Sequence, residues 1–143
     1  MTETTMEVSS EEDLTLTSLY AGSDKRPNAI MAVFGDGSRW TYRDGLRVAR
    51  RAGDALVASG VGEGDHIGVL LPEGPAAVGA RLGICMVGAA LVSLDAGTAG
   101  RALARALQLA HPALVISTGT FIERIRAVDG PPILDVVELF GGR

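Results

Sequence analysis

Few side chains in this sequence stand at the spacing that chemistry requires. Neither of the two histidines, His66 and His111, has a second ligand at metal-binding spacing. His66 opens an apolar run, and His111 closes a helical stretch, where an imidazole commonly complements the helix dipole. The single cysteine, Cys85, cannot form an internal disulfide. It lies within Leu82-Gly83-Ile84-Cys85-Met86-Val87, beside no base, so a buried, inert thiol is expected.

Two glycine-containing segments could in principle grip an anion. Gly60-Val61-Gly62-Glu63-Gly64-Asp65 has the glycine density of a dinucleotide loop, but that loop works between a strand and a helix. Here a helical pattern precedes and a strand pattern follows, which makes the segment a connector. Ser117-Thr118-Gly119-Thr120 is better placed, between a strand and a helix, where doubly wound sheets bind ligands. No lysine follows to neutralise a phosphate, so an ordinary helix cap is the simpler reading. Arg43, Arg47, Arg50 and Arg51 are interleaved with Asp44 and Asp54, the pattern of a solvated helix face. The sequence thus nominates no catalytic, cofactor-binding or metal-ligating residue.

The elements that would carry these residues follow from hydrophobic period and turn chemistry. The 143 residues fit one domain, 47% apolar and 21% charged. Mean hydropathy is +0.26, high for a soluble domain of this length. The net charge of −4 argues against a nucleic-acid surface. No apolar run reaches the roughly 18 residues of a membrane span, and the acidic opening residues do not form a signal peptide. A cytoplasmic location is expected.

Residues 1–10 are polar and expected to be disordered. Ser10-Glu11-Glu12-Asp13 could start a short helix, and Leu14, Leu16 and Leu19 fit no clean period. Lys25-Arg26-Pro27-Asn28 is turn chemistry. Residues 29–34 and 38–41 predict two strands joined through Gly35-Asp36-Gly37, a hairpin signal. Thr41 and Asp44 predict a capping box for a helix carrying Leu46, Ala49, Ala52, Gly53 and Leu56, closed by Ser59-Gly60. Strands are then predicted at 66–71, 90–94, 113–117 and 133–139. Helices are predicted from Pro75 to about residue 87, at 98–109 with Leu103 and Leu107 on one face, and at 120–128. The alternation predicts an α/β fold: a doubly wound, mostly parallel sheet with helices on both faces, preceded by a β-hairpin.

Over residues 26–116 the order of motifs resembles the start of the adenylate-forming superfamily, which includes acyl- and aryl-CoA ligases, nonribosomal peptide adenylation domains and luciferases. Pro27-Asn28-Ala29-Ile30 and Trp40-Thr41-Tyr42-Arg43-Asp44 resemble its first motif. Gly60-Val61-Gly62-Glu63-Gly64-Asp65, running into His66-Ile67-Gly68-Val69-Leu70-Leu71-Pro72, resembles its Gly-Val-x-x-Gly-Asp turn and following strand. Gly88-Ala89-Ala90-Leu91-Val92-Ser93-Leu94-Asp95 resembles its second motif. The resemblance implies that residues 11–143 form a truncated N-terminal subdomain.

Members of that superfamily use ATP to activate a carboxylic acid and pass the acyl group to coenzyme A or a carrier thiol. Their phosphate-gripping loop ends in Pro-Lys-Gly, which does not occur here. ATP and Mg²⁺ are therefore implied only for a completed enzyme, and no activity or cofactor is expected of this chain alone. The expected roles are one part of a split carboxylate-activating enzyme, or a catalytically silent binding or regulatory module. Expected partners are a complementing subunit, a second copy or a carrier protein. The residues also depart from the pattern: Gly45 and Gly53 fall inside the first long helix, where each costs about 1 kcal/mol relative to alanine. Ser93 and Ala96 replace frequent prolines.

Overall fold

The computed structural model describes residues 23–140. The expectations for the tail at 1–10, the helix start at Ser10 and the leucines Leu14, Leu16 and Leu19 lie outside the described residues. Strands β1 (Ile30–Val33) and β2 (Arg39–Thr41) pair antiparallel as the expected hairpin. Asp36 Oδ1 accepts hydrogen bonds from the Ser38 amide (2.9 Å) and hydroxyl (2.7 Å), while Gly37 takes φ +91°. Those two bonds hold the Asp36 carboxyl below its ordinary pKa.

Helix α1 (Tyr42–Ala58) starts with the predicted capping box. Thr41 Oγ1 accepts from the Asp44 amide (3.1 Å), and Asp44 Oδ2 accepts from the Thr41 amide (2.9 Å). Each bond satisfies a backbone donor that the helix itself cannot. The helix ends at Ser59, and Gly60 takes φ +90° beyond it.

The chain then alternates: β3 (His66–Leu70), α2 (Pro75–Met86), β4 (Ala90–Ser93), α3 (Gly100–Ala110), β5 (Leu114–Ser117), α4 (Gly119–Ala127) and β6 (Ile133–Asp135). The four strands form a parallel sheet in the order β4-β3-β5-β6. One prediction needs correction. The final segment is not a strand through residue 139 but breaks at Asp135, whose Oδ1 accepts from the Val137 amide (2.9 Å) and caps helix α5 (Val136–Leu139). A carboxylate that reaches forward to a main-chain N–H competes with the strand ladder. The resulting turn buries Leu139.

Strand alternation sends side chains to both faces, and each face is covered by helices. Ile67, Val69, Ile116 and Leu134 pack with Ala52 and Leu56 of α1, Ala77, Ala80 and Ile84 of α2, and Leu139. Leu70, Leu94 and Val115 pack with Leu103 and Leu107 of α3 and Ile125 of α4. The sheet is thus doubly wound, as the alternation of patterns predicts.

Helices α1 and α2 approach closely. A Cβ placed on Gly83 would lie 2.4 Å from Ala52 Cβ and 3.1 Å from the Ala52 carbonyl carbon. Gly53 belongs to the same contact, because its Cβ would meet Met86 Cγ at 3.1 Å. Gly53, read from sequence as a weak point in the helix, is buried where the two helices meet.

Candidate functional site

Strands β3 and β5 are neighbours, but the chain leaves them toward opposite faces, into α2 and α4 respectively. That divergence makes the C-terminal edge between them the topological switch point, where open α/β sheets bind ligands. Ser117-Thr118-Gly119-Thr120 lies there. Ser117 is fully buried, and its Oγ donates to the Leu70 carbonyl at 2.7 Å, stitching the two strand ends together. Its hydroxyl is therefore occupied. Thr118 stands at the N-cap of α4 in extended conformation, but its side chain makes no capping bond. The expectation of an ordinary cap holds for its position and fails for its side chain.

Helices α2, α3 and α4 all follow strands at this edge. None has a side-chain cap or an acidic residue in its first turn. Unlike α1 with its capping box, these three helices start without a side-chain acceptor on their first N–H groups. Such an edge can face a negatively charged group. Two contacts brace it. Arg81 pairs with Glu73 at 3.0 Å, anchoring the β3–α2 loop, and Arg124 donates to the Ala96 carbonyl at 2.6 Å, tying α4 to the β4–α3 loop. The Arg124 guanidinium also sits 4.6 Å from the centre of the Phe121 ring.

The other chemistry-bearing residues are not gathered at this edge. His66 is exposed, its Nδ1 3.2 Å from the Ala110 carbonyl oxygen, and His111 caps α3 in the left-handed conformation at φ +51°. Asp65 Oδ2 accepts from the Gly62 amide (2.8 Å), which closes the glycine-containing connector ahead of β3. Cys85 is a correction: it is exposed on α2, not buried. The apolar stretch around it is helical, so its neighbours Leu82 and Ile84 turn to the core while Cys85 turns away. Partial desolvation still pushes its thiol upward, away from the reactive thiolate. No cluster of three or more His, Cys, Asp or Glu side chains suited to a metal occurs among the described residues.

Sequence reasoning missed one concave site. Trp40, Arg47, Val48, Arg51, Pro75 and Phe140 border a cavity of about 310 Å³. Nothing local in the sequence joins Trp40 to Phe140. The Phe140 ring reaches α2 because Gly79 has no side chain; a Cβ there would lie 2.7 Å from Phe140 Cζ.

Comparisons with known proteins agree with this fold. Residues 19–140 match the AMP-binding enzyme family, and the chain belongs to that family. It is 32% identical over 115 residues to the probable non-canonical nonribosomal peptide synthetase CymA of Salinispora arenicola, covering 80% of this chain and 2% of that protein. It is 34% identical over 96 residues to the medium/long-chain-fatty-acid–CoA ligase FadD6 of Mycobacterium tuberculosis, covering 67% of this chain and 16% of the ligase. Among solved structures, VinN in complex with L-aspartate superposes with a TM-score of 0.80 at 28% identity, covering 90% of this chain and 32% of VinN. The o-succinylbenzoate CoA synthetase of Bacillus subtilis shares the fold, with a TM-score of 0.77 at 19% identity over 86% of this chain and 32% of the synthetase. The chain thus spans about a third of these structures and a smaller share of the curated relatives. No helix among the described residues is long and apolar enough to cross a membrane.

Proposed function

We propose that this chain is one part of a carboxylate-activating, acyl-adenylate-forming enzyme, completed in trans by a protein that carries the ATP- and acid-binding motifs. The observation that carries this reading is the family match across residues 19–140, by a chain that spans about a third of the related solved structures. ATP and Mg²⁺ belong to the completed enzyme. This chain supplies the scaffold: a braced sheet edge with three helix N-termini that lack side-chain caps. The acyl acceptor is coenzyme A or the thiol of a carrier protein, and the enzyme works in the cytoplasm.

The outer edge of β4 supports the need for a partner. The Ala90 and Leu94 amides bond to β3, so strand alternation turns the Leu91 and Ser93 amides outward, where no strand pairs with them among the described residues. Leu91 is 40% exposed there, on a strand with no charged residue or proline to deter pairing. A complementing subunit or a second copy would cover that edge.

The test is exchange of labelled pyrophosphate into ATP over a panel of carboxylic acids. It is run with this chain alone and with the products of neighbouring reading frames that encode the missing motifs. Exchange should occur only in a mixture. Exchange by the chain unaided would refute the reading. So would a mixture that forms a stable complex yet never exchanges, the behaviour of a silent binding module.

A further inference from the structure

The cavity between β2, α1, the start of α2 and Phe140 serves neither the sheet edge nor the core. It is lined by the half-buried Trp40, Val48 and Phe140, by Pro75, and by the exposed Arg47 and Arg51. We propose that it is a docking site for an acidic peptide segment of a partner protein. The segment would seat one bulky apolar side chain against Trp40 and Phe140 and set carboxylates against Arg47 and Arg51.

Charge complementarity selects this occupant. The chain carries a net charge of −4, yet Arg39, Arg43, Arg47, Arg50 and Arg51 stand within residues 39–54 against two carboxylates, Asp44 and Asp54. Asp44 is committed to the α1 capping box and to Arg47, 2.7 Å away. Arg51 is exposed, and its side chain has no hydrogen bond or ion pair among the described residues. Charges of one sign around an apolar hollow steer and orient a partner of the opposite sign, while the apolar lining supplies the anchor.

The same features argue against other polyanions. A nucleic-acid surface requires a broad basic face for many phosphates, and here the basic stretch is short, on an acidic chain, around an apolar hollow. A membrane surface is entered by protruding apolar side chains, whereas Trp40, Val48 and Phe140 are half-buried. A volume of about 310 Å³ lies at the lower end for ligand sites, which suits a single large side chain.

Trp40 is the only tryptophan in the chain and lines this cavity, so tryptophan emission reports on a change there. The probe is a capped hexapeptide, Glu-Glu-Leu-Phe-Glu-Glu, titrated into the full chain. Two controls accompany it, one with lysine in place of every glutamate and one with glycine in place of Leu-Phe. A saturable shift with the first peptide alone is expected, weakening as salt rises. The Arg47→Glu/Arg51→Glu variant, with unchanged circular dichroism, should weaken it by about tenfold. Absence of a saturable shift overturns the proposal, as does an equal response to either control or to the double variant. A shift produced only by phosphatidylserine vesicles or by a single-stranded oligonucleotide overturns it too. None of these outcomes depends on pyrophosphate exchange, so this docking site stands or falls separately from the acyl-activating reading.

Discussion

The two faces of the parallel sheet are held by opposite means. On one face α1 and α2 meet through small residues, Ala52, Gly53, Gly79 and Gly83, and a methyl group added at Gly79 or Gly83 would collide. On the other face α3 and α4 are held off by Leu103, Leu107 and Ile125, which fill the space over Leu70 and Val115. The α1–α2 contact depends on what is absent from its side chains, the α3–α4 packing on what is present. Large-to-small substitution should therefore injure the α3–α4 packing, and small-to-large substitution the α1–α2 contact.

The largest effect is expected from Leu103→Ala. Leu103 is fully buried, so its truncation leaves a cavity as well as losing transfer energy, at a cost of about 3 kcal/mol. Urea titration monitored by circular dichroism should show a markedly lower midpoint. A loss under about 1 kcal/mol would mean that the α3 side is not packed as described.

Gly83→Ala should destabilise by about 2 kcal/mol. Helix propensity alone predicts the opposite sign, a gain of roughly 1 kcal/mol. The collision is with Ala52 Cβ at 2.4 Å, so Ala52→Gly introduced in the same chain should recover part of the loss. If Gly83→Ala stabilises the protein, the close helix contact is wrong.

Thr41→Ala removes the acceptor for the Asp44 amide and should cost about 1 kcal/mol. A companion measurement uses pH. The Thr41 amide is the main cause holding the Asp44 carboxyl below its ordinary pKa, opposed by desolvation and helped by the Thr41 hydroxyl and Arg47. A depressed folded-state pKa stabilises above the unfolded value, near about 4, and that stability is lost as pH falls through the folded value. The stability gap between the protein and Asp44→Ala should hold at neutral pH and close in acid. A gap that persists unchanged at the lowest pH would contradict the capping role.

The smallest effect is expected from Gly53→Ala, within about 0.5 kcal/mol of zero. Its added methyl meets Met86 Cγ at 3.1 Å, a flexible side chain that can shift, and the gain in helix propensity offsets the contact. A loss as large as that of Gly83→Ala would show the α1–α2 contact to be rigid throughout.

Much of this architecture was legible because its signals are local. Gly35-Asp36-Gly37 specifies a tight turn, Thr41 and Asp44 satisfy each other's neighbouring amides, and continuous apolar runs separated by amphipathic stretches specify strands buried on both faces. The errors share a cause. At Asp135 a single side-chain bond ended a strand that apolar content would have continued to residue 139. At Cys85 composition suggested burial, but helical phase turned the thiol outward. The cavity between Trp40 and Phe140 joins residues a hundred positions apart, through the space left by Gly79.

The sequence by itself determined the order of elements from β1 to β6, the parallel doubly wound sheet, the hairpin, the α1 cap and the family, since each rests on short-range pattern or on motif order. Tertiary structure alone decided which glycines are contacts, which hydroxyl at the switch point is occupied, and where Trp40 and Phe140 come together beside Arg47 and Arg51. Those depend on distances between segments that meet only when the helices close over the sheet. A glycine has the same composition whether a neighbouring methyl group lies 2.4 Å from its missing Cβ or nowhere near it.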